Sequence, residues 1–118
     1  MIQEQRLYDA LKNSTPVAGR VANRIYPWSA PQGAEEPFLT YMTTFKNEQS
    51  CLAGGTSAPE RINMQIGCFD TSYLNVKELS VEVKKALQVL NPTIMSEIDM
   101  YDYDNKIHEV VINVAFWE

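Results

Sequence analysis

Between Arg24 and Tyr41 the chain reads RIYPWSAPQGAEEPFLTY, and Pro27, Pro31 and Pro37, with Gly33 among them, exclude a helix from the whole stretch. Proline lacks the amide proton that a helix interior needs, and it pushes the residue before it into extended backbone. Regular helix is therefore confined to the flanks. The stretch reads as an extended, surface-running arm that ends at Pro37 by delivering the chain into an apolar strand.

On the N-terminal side, Leu7, Ala10 and Leu11 recur at helical spacing, so Ile2 to Asn13 is expected to be a short amphipathic helix. Asn13, Ser14, Thr15 and Pro16 break it, and Val17 to Asn23 is at most one further helical turn. On the other side, Phe38 to Phe45 has strand composition. Arg61 to Asp70 alternates, with Ile62, Met64, Ile66 and Cys68 on one face and Arg61, Asn63 and Gln65 on the other. Asp70, Thr71 and Ser72 are candidate N-caps for a main helix carrying Val76, Leu79, Val83, Ala86, Leu87 and Leu90, which Asn91-Pro92 stops. Its polar face, with Lys77, Glu78, Glu82, Lys84 and Lys85, reads as solvated, Glu78 and Glu82 pairing with lysines about one turn away.

Thr93 to Tyr103 and Ile107 to Trp117 read as a terminal hairpin turned through Asp104, Asn105 and Lys106. In its last strand Val110, Ile112, Val114 and Phe116 form the inward set. The opposite set, Glu109, Val111, Asn113, Ala115 and Trp117, is too apolar for a fully wet face, which suggests cover by another subunit. The expected fold is α+β: a four-stranded, mainly antiparallel sheet with two helices packed on one face, in the order α-β-β-α-β-β. At 118 residues it is one domain, spanning 1–118, with a long Gly-rich connection from Asn47 to Ala58 expected to be mobile.

The formal net charge of -5 argues against a duplex-binding surface, which needs clustered Lys and Arg. No stretch approaches the roughly 20 apolar residues of a membrane span, and the charged N-terminus does not match a signal peptide, so a soluble cytoplasmic product without membrane contact is expected. Cys51 and Cys68 read as free thiols, Cys68 as a small buried hydrophobe. His108 is the sole histidine; pairing with Cys51 would make a thiolate, but Cys51 lacks the basic neighbours that lower a thiol pKa.

Glu97, Asp99, Asp102 and Asp104 form the sharpest charge cluster, read as a solvated hairpin tip, with a weak divalent-cation site as the alternative; the cluster lacks the turn glycine and distant glutamate of an EF-hand. Gly54-Gly55 is not followed by the Lys-Ser/Thr of a phosphate loop and reads as a hinge. No catalytic residues, metal or cofactor are expected. Trp28, beside Pro27, is a candidate anchor for a protein contact.

The RIYPWSAPQG arm followed by PFLTY, the ERINMQIGCFD strand, the capped helix ending KKAL and the YDYDNKIHEVVINVAFW hairpin, in that order, resemble the tail-completion (tail-terminator) proteins of long-tailed bacteriophages over nearly the whole chain. The resemblance implies a non-enzymatic structural protein of the virion's head-tail junction, assembled in the host cytoplasm into a homo-oligomeric ring, typically a hexamer. That ring would sit on the head-proximal end of the tail tube, stop tube polymerisation and join tail to head, with the tail tube protein and a head-completion or neck protein as partners. Tyr26, Trp28, Gln32, Cys51, Leu52, Gly54, Gly55 and Trp117 are then candidates for the subunit or tail interface. Glu97, Asp99, Asp102 and Asp104 are candidates for an acidic lumen through which DNA passes without specific binding. A head-side neck connector or stopper and, more distantly, a small metal-binding domain or enzyme using the acidic hairpin are the alternatives.

Overall fold

The computed structural model describes residues 2–47 and 61–117. Helix α1 (Ile2–Asn13) and helix α2 (Thr15–Val21) lead into a short strand β1 (Ile25–Pro27), followed by β2 (Phe38–Asn47), β3 (Arg61–Asp70), helix α3 (Tyr73–Leu87), a 3₁₀ turn (Gln88–Leu90), β4 (Thr93–Asp102) and β5 (Ile107–Trp117). The strands form one five-stranded sheet in the order β1-β2-β3-β5-β4. All neighbours are antiparallel except β1 with β2.

The α+β class is as expected, but the sheet has five strands rather than four and the described residues form three helices rather than two. The extra strand comes from the proline-rich arm. Ile25, Tyr26 and Pro27 lie parallel to Leu39, Thr40 and Tyr41. The Leu39 amide donates to the Arg24 carbonyl at 3.0 Å and the Trp28 amide to the Tyr41 carbonyl at 2.8 Å. A proline is tolerated there because β1 is an edge strand, with no neighbour on its outer side to need the missing amide. The third helix is α2, in which Pro16 occupies the first turn, where its missing amide is no loss.

The helical faces and the alternating strand faces meet in one core. Leu7 and Leu11 of α1, Val17 and Val21 of α2, and Val76, Leu79, Val83 and Leu87 of α3 pack on Ile62, Met64, Ile66 and Cys68 of β3 and on Val110, Ile112, Val114 and Phe116 of β5. Each large side chain so buried contributes roughly 1.5–3 kcal/mol before conformational entropy is counted. A one-residue slip of β3 would turn that whole set away from the helices. Helix α3 begins as the sequence indicates: the Ser72 hydroxyl accepts from the Asn75 amide at 3.3 Å. No helix among the described residues is long and apolar enough to cross a membrane.

The charged face of α3 keeps one of the two expected local pairs, that of Glu82, and loses the other. Lys85 and Glu82 are near each other at 3.8 Å, but Glu78 receives Arg20 of α2 at 3.1 Å, and Lys77 and Lys84 reach across to β4, to Asp99 and Glu97, each at 3.0 Å. Helix and sheet place these partners together across the chain, beyond the reach of a one-turn rule.

Two substitutions separate core from cap. Ile66→Ala, at a fully buried position, is expected to lower unfolding free energy by about 2–5 kcal/mol. Ser72→Ala is expected to lower it by about 1 kcal/mol. Urea unfolding followed by circular dichroism measures both.

Candidate interaction surface

Because α1, α2 and α3 all pack on one side of the sheet, no second layer among the described residues covers the other side. Strand alternation brings Tyr26 of β1, Phe38, Thr40 and Met42 of β2, Gln65, Gly67 and Phe69 of β3, Ile107, Glu109 and Val111 of β5, and Ile98 and Met100 of β4 to that side. Two properties set it apart from a wet sheet face: an aromatic row and a carboxylate without a partner.

Phe38 and Phe69 are cross-strand neighbours whose rings stack at 4.7 Å between centroids and 17° between planes, and Tyr26 meets Phe38 edge-on at 6.0 Å. The row is possible because the residue between β2 and β5 at its centre is Gly67. A Cβ there would come within 2.7 Å of Thr40 Oγ1 and 2.8 Å of a Phe69 ring carbon. Phe38, Thr40 and Phe69 border a groove of about 360 Å³ that also reaches Trp28 on one side and Asp102, Asn105 and Ile107 on the other. Glu109 lines it half-buried, with no hydrogen bond or ion pair among the described residues, and burial pushes its carboxyl above the ordinary glutamate range.

The interface candidates named from sequence lie in different places. Tyr26 and Trp28 belong to this surface: Trp28 is 71% exposed, held with its backbone at φ 68°, a region that disfavours side chains other than glycine's, while its amide completes the β1–β2 pairing. Gln32 is exposed in the turn before Gly33. The loop that carries them is drawn closed by Arg24, whose guanidinium donates to the Pro37 carbonyl at 2.9 Å and to the Arg20 carbonyl at 3.3 Å. Cys51, Leu52, Gly54 and Gly55 lie outside the described residues, as does nearly all of the 47–58 connection. Trp117 pairs through its backbone with Arg61.

The acidic group divides. Glu97 and Asp99 face the helices and are tied to Lys84 and Lys77. Asp99 is held below the usual aspartate range by Lys77 and by the Tyr73 hydroxyl, which donates to it at 3.0 Å. Exposed pairs of this kind contribute roughly 0.2–1 kcal/mol and weaken with salt. Asp102 instead organises the hairpin turn, its carboxylate accepting from the Asp104 and Asn105 amides at 3.0 and 3.3 Å and from Asn105 Nδ2 at 2.8 Å. Asp104 has no ion pair among the described residues. No three His, Cys, Asp or Glu side chains among them converge as a metal set.

His108 packs between Tyr101 and Tyr73, at 4.6 and 5.4 Å between ring centroids. Cys68 is a free, buried thiol whose pKa burial drives far above its usual value, so it is inert as a nucleophile.

Phe69, Gly67 and Glu109 carry much of this surface. Alternation from Arg61, Asn63 and Gln65 extends to Gly67 and Phe69 in two further steps, which was the available signal. That Phe69 stacks on Phe38 depends on the β2–β3 register.

A family model described as "Tail completion protein gp17" matches residues 5–118. The chain belongs to that family. It is a family of structural phage tail proteins. The fold is similar to that of a chain from the solved structure entitled "Virion of native gene transfer agent (GTA) particle", which superposes with a TM-score of 0.70 at 11% identity, covering 94% of this chain and 90% of that one. A search of curated protein sequences gave no match.

Glu109 supplies a test of the surface. An acid whose folded pKa lies above its unfolded value retains a proton where the unfolded chain has lost it, so stability falls as pH rises through that window. Glu109→Gln is therefore expected to raise the melting temperature at pH 7, with the gain disappearing below the ordinary glutamate pKa. Thermal unfolding across pH 3–8 checks it; equal melting temperatures at pH 7 would contradict it.

Proposed function

We propose that this tail-completion protein forms a ring on the head-proximal end of the tail tube, ends tube polymerisation there and joins the tail to the head. The observation that carries the proposal is the family match across residues 5–118. The surface chemistry agrees with a docking role. The uncovered sheet side is rich in aromatic and aliphatic groups, and Trp28 stands out from it as an anchor of the type that dominates protein contacts. A ring needs two different patches on each subunit, and the uncovered face and the two ends of the sheet provide them.

In this reading the partners are further copies of the chain, the tail tube protein and a head-completion or neck protein, and the site of action is the head-tail junction of the virion. The net charge of -5 suits a conduit through which DNA moves without adhering. Of the four acidic residues considered for its lumen, Asp102 and Asp104 at the hairpin tip are the better candidates, because Glu97 and Asp99 are engaged by α3 lysines.

Deleting the gene in its phage or prophage and examining the lysate by electron microscopy tests the proposal. Tails of uncontrolled length beside full, unattached heads are expected. Free tails of normal length beside heads that leak DNA would instead assign the protein to the head side of the neck, and intact infectious virions would overturn both readings.

A further inference from the structure

Resting on the ring reading above, we infer that the ring closes by continuation of the sheet: β4 of one copy pairs antiparallel with the open stretch of β2, residues 42–47, in the next copy. Among the described residues strand β4 is hydrogen-bonded on one side only, to β5, and all ten of its residues are exposed. Ile94, Met95, Ile98, Met100 and Tyr101 lie between 39% and 54% accessible. A long edge of this composition is a template for another strand, and proteins that remain alone blunt such edges with proline, lysine or unpaired charges. Strand β4 contains neither proline nor lysine, its one irregularity lies between Ile94 and Ser96 with regular pairing from Ser96 to Asp102, and two of its three acids, Glu97 and Asp99, are occupied by Lys84 and Lys77 on the helix side.

The opposite end of the sheet is only partly closed. Strand β1 pairs with Leu39, Thr40 and Tyr41, and past Tyr41 no strand among the described residues pairs with the outer edge of β2. Leu39 and Tyr41 turn their peptide groups towards β1, so alternation turns those of Thr43 to the open edge, and beyond Thr43 a bulge shifts the register by one residue before pairing with β3 resumes at Phe45.

Strand direction and charge choose the partner. The run β2, β3, β5, β4 alternates in direction, so its two ends point opposite ways. Rotation about an axis along the strands therefore brings β4 of one copy antiparallel to β2 of the next, and the alternation continues unbroken. Such a head-to-tail contact closes into a ring, whereas β4 against β4 has two-fold symmetry and stops at a dimer. Self-pairing would also bring together two strands that contain no base, TIMSEIDMYD, each with Asp102 as the acid that no lysine engages. The sequence of β2 from 42 to 47, MTTFKN, holds one lysine and no acid.

Cysteine pairs test the contact. In a Cys51→Ser background, Ile98→Cys or Met100→Cys is combined with Met42→Cys or Thr44→Cys, and tails assembled with each variant are oxidised and run on denaturing gels. At least one pair is expected to give a ladder of multimers up to the ring, with no ladder from the single variants. Dimers from Ile98→Cys or Met100→Cys alone would overturn the inference in favour of β4 self-pairing. No ladder from any pair on tails that the same variants cap at normal length would also overturn it, while leaving the ring reading intact; that reading fails separately if tails without the gene are already of normal length. Independently, the double variant Ile98→Lys with Met100→Lys, at two exposed positions, is expected to keep the wild-type melting temperature and lose tail capping. Retained capping would overturn the inference.

Discussion

The structure depends on the pairing of β3 with β5, which runs in register from Arg61 opposite Trp117 to Asp70 opposite His108. These are the two central strands, and their inner faces hold Met64, Ile66, Cys68, Val110, Ile112 and Val114 fully buried. Because side chains alternate strictly along a strand, setting that one register decides which residues meet α3 and which turn to the far side. Everything outward from this pair is less constrained. Strand β2 is held by β3 and by α1, where Thr43 Oγ1 donates to Glu4 at 2.6 Å, and β1 and β4 are each held from one side only.

Among the described residues three helices cover one face of the sheet, and none covers its other face or the outer edge of β4. Antiparallel sheets commonly leave one side to water, and then that side is polar. Here it carries a stacked aromatic pair, a glycine fixed by close approach and a glutamate that burial keeps from its ordinary pKa. This pattern suits the assembly proposed above.

Much of this was legible in the residues, and for stated reasons. Helix α1, β3, α3 and the terminal hairpin have strong periodicity over ten or more residues, and Ser72 marks the start of α3 by its chemistry. Strand β1 was not legible as a strand, because three residues ending in proline carry no alternation and the parallel partner lies beyond a loop whose path sequence does not give. Lys77 and Lys84 looked solvated because their partners, Asp99 and Glu97, come close only when the sheet sets β4 beside α3. For the interaction surface, Tyr26 and Trp28 were found from their place in the arm. Glu109 was recognisable only as part of a face too apolar to be wet; its unpaired state arises from the packing around it.

The central claim is that this molecule carries an incomplete sheet that assembly finishes. Hydrogen-deuterium exchange, read on the free protein and on the protein bound to tails, addresses it most directly. The account predicts that amides of β3 and β5 are protected in both states, whereas the outward amides of β4 exchange rapidly when free and become protected on tails. Rapid exchange along β4 in the tail-bound protein would contradict it.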